Sequence, residues 1–123
     1  MARARDMMGG GLSAGQATAI NGTQATSVSA AGTLQTDATA LVASDSIVST
    51  VGSGAGVIVP NTDVGDSMWI YNAGANGLKV YPPASGSQKF NQLSANAAFT
   101  LAVNTGCLVK RVSTTQWIAL LSA

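Results

Sequence analysis

The chain has no histidine, a single cysteine and few charges of either sign: six Lys plus Arg and five acidic residues, together 9% of the total. An ordinary soluble domain is roughly one-quarter charged. All the acids are aspartate, so glutamate is missing as well. Without an imidazole there is no side chain that ionises near neutral pH to act as a general base, which excludes Ser-His-Asp and Cys-His nucleophile arrangements. Cys107 alone cannot build a thiolate cluster, and scattered aspartates are poor zinc ligands by themselves. We therefore expect no cofactor, no metal and no enzymatic activity. A lone cysteine also excludes an intramolecular disulfide, in keeping with folding in a reducing cytosol.

A formal net charge of +1, with no basic block longer than Lys110-Arg111, removes the main driving force for nucleic-acid binding. No run approaches the roughly 20 apolar residues that a membrane span requires. The basic opening through Arg3 and Arg5 is followed by Met7-Met8 and Gly9-Gly10-Gly11 instead of the apolar stretch of a signal peptide. The expectation is a chain that binds neither nucleic acid nor membrane. At 123 residues, folding buries about two-thirds of the surface that the unfolded chain exposes, enough for one core.

What fills the chain instead is Gly, Ala, Ser and Thr. Residues 1–25 show no hydrophobic period, and the three glycines disfavour helix and strand alike. This segment reads as an extended N-terminal arm whose Arg3, Arg5, Met7, Met8 and Leu12 can dock on a partner. Residues 26–123 read as one all-β domain, because short β-branched or aromatic runs alternate with turn chemistry at spacings of roughly eight to twelve residues. Strands are expected at 26–31, 32–36, 46–51, 56–59, 67–72, 77–81, 88–90, 98–103, 107–112 and 116–121. The architecture this pattern suggests is an antiparallel β-sandwich, jelly-roll-like, with Asn76-Gly77 at a hairpin and Pro82-Pro83 closing a strand.

Two strands are bulky on both parities. In Met68-Trp69-Ile70-Tyr71, and again in Trp117-Ile118-Ala119-Leu120-Leu121, one face suits a core and the other suits a partner. Trp69, Tyr71 and Trp117 are accordingly expected at an oligomer interface, since Trp and Tyr anchor interfaces more often than they bind small ligands. Leu78 and Val80 are expected inside, with Lys79 and Tyr81 outside. Phe99, Leu101 and Val103 form another inward row, and Leu108, Val109 and Val112 a third.

Other motifs carry less. The Gly52–Gly56 run lacks both the spacing of a nucleotide-binding fingerprint and a helix to follow it, so it reads as a loop. Asp63 and Asp66 flank Val64-Gly65; turn formation is a commoner use of such a pair than calcium binding. They are also the only carboxylates close enough in sequence to suggest glycoside hydrolysis, and nothing nearby supports an acid/base role.

The stretch from Val57 to Pro82 runs through Val59-Pro60, Gly65-Asp66, Met68-Trp69-Ile70-Tyr71-Asn72, Asn76-Gly77 and Val80-Tyr81-Pro82. Together with Thr114-Thr115-Gln116-Trp117 it resembles small β-rich virion-surface proteins of tailed bacteriophages. The resemblance covers residues 38–121 and excludes the arm. It implies a β-sandwich that trimerises on a phage particle, as a capsid decoration (cement) protein or as part of a fibre. A fibre needs a shaft, and the chain has no heptad pattern or tandem repeat to make one. The expectation is therefore a cement protein made in the host bacterial cytoplasm and located on the virion capsid surface. Its partners would be two further copies and the major capsid protein, with the arm lying on the capsid. The alternative is a receptor-binding or fibre module that recognises host-surface glycans.

Overall fold

Strands dominate because β-branched and aromatic side chains suit a pleated surface, while Gly, Pro and Asn recur too often to allow a helix of useful length. The computed structural model describes residues 22–122. Its strands are β1 (Gln24–Ser29), β2 (Thr39–Ala40), β3 (Asp45–Thr50), β4 (Gly56–Ile58), β5 (Ser67–Asn72), β6 (Leu78–Tyr81), β7 (Lys89–Phe90), β8 (Phe99–Leu101), β9 (Gly106–Arg111) and β10 (Gln116–Leu121). The all-β expectation is met. A 3-10 turn at Gln35–Asp37 is the one helical piece among the described residues, held where the Asp37 carboxylate accepts the Thr33 and Leu34 N–H groups. It occupies the place where a strand was expected at 32–36. Of the expected arm, Gln24 and Ala25 belong to β1, whereas Arg3, Arg5, Met7, Met8 and Leu12 lie outside the described residues.

The connectivity differs from the antiparallel jelly-roll expectation. One sheet has the order β1-β3-β5-β9-β10-β7 and the other β2-β4-β6-β8. Up to β6 the chain steps from one sheet to the other at every strand, so β1, β3 and β5 stack in parallel in the first sheet and β2, β4 and β6 in the second. This is a β-solenoid-like winding with about 20 residues per turn. The remaining strands close it with antiparallel ladders, β6–β8, β5–β9 and β9–β10, and a short parallel pairing of β7 with β10. Asn76-Gly77 is thus not a hairpin turn: it lies on the corner that carries the chain from β5 in one sheet to β6 in the other. The same turn residues serve either purpose, since they reverse or bend the chain locally without choosing its next partner.

Both sheets contribute to a single core. Val48, Ile70, Cys107, Val109, Trp117 and Ala119 enter it from the six-stranded sheet, and Val57, Leu78, Val80 and Leu101 from the four-stranded one. Phe90 and Phe99 meet edge to face with ring centroids 4.9 Å apart, tying β7 to β8 across the sheets. Tyr81, expected outside, is buried; its ring lies against Gly56, where a Cβ would stand 2.9 Å from it, and its hydroxyl donates to Thr33 O. Val103 and Val112, expected inside, are exposed because they lie just past the ends of their strands, and Leu108, also expected inside, faces outward because its neighbours Cys107 and Val109 take the core side of β9. Asn72 is wholly buried at the β5–β6 corner. It donates to Asn76 O and Leu101 O and accepts from Gly74 N–H, each at 2.9 Å.

Candidate functional site

Alternation along each strand of the six-stranded sheet sends one set of side chains into the core and the other outward. In β5, Met68, Ile70 and Asn72 are buried, which leaves Trp69 and Tyr71 on the outer face at 56% and 40% exposure. Register then decides what stands beside them. Gln24, Asp45, Trp69, Leu108 and Leu120 are consecutive ladder partners, so they form one line across β1, β3, β5, β9 and β10. Alongside it runs a second line, Ile47, Tyr71 and Gly106.

These lines enclose an open groove of about 580 Å³. Its floor and walls are apolar: Ile47, Trp69, Tyr71, Leu108, Leu120 and Leu121 all contribute. The groove deepens at Gly106, which leaves the space beside the Tyr71 ring open; a Cβ there would come within 3.3 Å of the ring. Among the described residues Asp45 is the one charged residue lining it, and its carboxylate accepts a hydrogen bond from the Gln24 amide at 3.1 Å. A hydrocarbon-lined face with one rim carboxylate can bind apolar side chains.

The sequence-predicted interface residues separate. Trp69 and Tyr71 are together on the groove floor. Trp117 is in the core at 1% exposure, packed against Phe90 with ring centroids 5.9 Å apart. Its indole N–H donates to the buried Gln88 Oε1 at 2.7 Å, and Gln88 in turn donates to Asn61 Oδ1 and Ser85 O. Trp117 is therefore unavailable to a partner, a correction to the expected interface. The outward residues of its strand are Ile118 and Leu120. Ile47, Leu108 and Leu120 were not singled out as interface residues in the sequence, although adjacent apolar pairs such as Ile47-Val48 and Leu108-Val109 carry the signal: one member of each must face away from the core.

Asp37, Asp45, Asp63 and Asp66 take part in local hydrogen bonds. Asp66 Oδ2 accepts the Asp63 N–H at 3.2 Å, a turn contact of the kind expected for that pair. No cluster of three or more His, Cys, Asp or Glu able to hold a metal occurs among the described residues. Cys107 is buried among the core side chains, and burial pushes its thiol up to about 12, only partly offset by a backbone hydrogen bond with Ile70. Compared with known proteins, the chain matches no family model, no curated protein and no solved structure.

Proposed function

We propose that this is a structural virion protein: a capsid decoration protein that binds the outer capsid surface as an oligomer and stabilises the shell without doing chemistry. The observation that carries the reading is the apolar groove built around Trp69 and Tyr71 on the outer sheet face, an area of the kind a protein covers with a partner. The phage-protein resemblance over residues 38–121 supplies the setting, and the poverty in charge suits a subunit meant to be covered. In this reading Trp69, Tyr71, Leu108 and Leu120 form the homo-oligomer interface, a trimer by the resemblance. Association costs about 4–15 kcal/mol, so burying a few hundred Å² of apolar surface at about 25 cal/mol per Å² is needed before any affinity appears. Linked copies then hold the shell by effective concentration even where each contact is weak. Arg3, Arg5, Met7, Met8 and Leu12 contact the major capsid protein.

The test is titration of the purified protein onto phage capsids stripped of surface proteins, with its position read by cryo-electron microscopy. Saturable density at a fixed site on the shell is the expected outcome; absence from the shell with density on the tail would overturn it. A glycan array addresses the alternative of a host-glycan module, since exposed Trp69 and Tyr71 rings suit sugar faces, and a decoration protein should give no signal there.

A further inference from the structure

We propose that the register between copies of this chain at the groove is set by charge, with Asp45 of one copy paired to Lys110 of a neighbouring copy. This rests on the oligomer reading above and names the contact that aligns the copies. Strand alternation carries Lys110 to the outer face, since Gly106, Leu108 and Lys110 alternate with the buried Cys107 and Val109 along β9. The ladder partners of Lys110 are Ser67 on β5 and Ile118 on β10. That line runs beside the one in which Asp45 stands next to Trp69. Asp45 and Lys110 therefore flank Trp69, one on the β3 side and the other on the β9 side, two strands and roughly 10 Å apart at ordinary strand spacing.

Area and charge together select a second copy as the occupant. Ile47, Trp69, Tyr71, Ile118, Leu120 and Leu121 are between 37% and 64% exposed. At roughly 200 Å² for a free side chain of this size, they leave roughly 600 Å² of apolar surface per copy, most of the roughly 800 Å² per partner that a stable interface buries. A patch with an acid on one side of its apolar centre and a base on the other is complementary to itself. Apposed in register, two copies bring unlike charges together. A slipped register leaves each charge against hydrocarbon or against its like, and that cost removes the competing arrangement. In a trimer each copy gives its Asp45 to one neighbour and takes the Lys110 of the other, the head-to-tail contact that closes a ring.

Sedimentation velocity over a concentration series at low ionic strength compares the full-length parent with D45K, K110D and the double swap D45K/K110D, circular dichroism confirming that each is folded. Each single reversal sets like charges against each other and should weaken self-association by about tenfold or more. The double swap restores unlike pairs and should return to within about threefold of the parent. Asp45→Asn, which keeps an acceptor for the Gln24 amide, should weaken association several-fold, and added salt should weaken that of the parent. Lys89→Asp, on the edge strand β7 of the same sheet and outside the groove, controls for net charge and should change little. A double swap no tighter than the singles, or singles as tight as the parent, would overturn the pairing and leave the oligomer reading standing. A parent that stays monomeric at every concentration would overturn the pairing and the interface together, while placement on the shell is read separately by the capsid titration.

Discussion

Two tryptophans of similar sequence setting, each in a strand with apolar residues on both parities, end in opposite environments. Trp117 is buried and bonded through its indole to Gln88, while Trp69 stands more than half exposed. Cys107 shares the inner side with Trp117, and its fate is chemical silence: only the thiolate reacts, and burial in apolar surroundings disfavours it. Because burial pushes its folded pKa up to about 12, above the 9.0 of an exposed thiol, folded and unfolded chains both hold the proton below pH 9. Above that the unfolded chain releases it first, so this group lowers stability as pH climbs from about 9 toward 12. The native protein should not react with a thiol reagent at pH 8 and should titrate one thiol in denaturant. Urea unfolding at pH 8 and pH 10.5 should show a smaller loss of stability in Cys107→Ala than in the parent; equal losses would remove the thiol from the account.

At the scale of elements, the corner between β5 and β6 links neighbouring turns of the winding. Asn72 bridges Asn76 and Leu101, and Asn76 Nδ2 donates to Val51 O on the preceding turn. Gly74 fits between them because a Cβ there would lie 2.8 Å from the Val51 backbone nitrogen. Asn72→Ala leaves two carbonyls and one N–H without partners in a buried corner and should destabilise the protein by about 2–4 kcal/mol. Urea denaturation followed by fluorescence measures it, and a loss below about 1 kcal/mol would mean that water replaces the amide there. Strand assignment at this scale was legible: β5 and β10 span the residues that alternation and flanking turns indicate. Pairing was not, because periodicity tells which side chains point inward and not which strand lies alongside. The turns of the winding differ in length, as the partners of Gln24, Asp45 and Trp69 show, so no fixed repeat appears in the sequence to announce a solenoid.

For the whole molecule, the outer face of the six-stranded sheet is where function is sought. Trp69 and Tyr71 are exposed in the single chain, so Trp69→Ser/Tyr71→Ser should leave the melting temperature of the monomer nearly unchanged, and under the proposed oligomer interface it should weaken self-association at least tenfold. Sedimentation velocity across a concentration series measures this directly. An oligomer as tight as the parent's would move the interface to another face. The double substitution thus separates a surface role from a core role, which Trp117 could not do.

The sequence by itself determined the strand content, most strand positions and the lack of any imidazole, because composition, alternation and turn residues are local properties of the chain. It also marked Trp69 and Tyr71 as surplus to a core. Only the tertiary structure decided that Trp117 is interior, that the first strands of each sheet wind in parallel, and that Trp69, Leu108 and Leu120 stand in one line beside Asp45. Those outcomes depend on register between segments far apart in sequence. A shift of one residue in any of these ladders would turn the groove's side chains inward and leave a different surface.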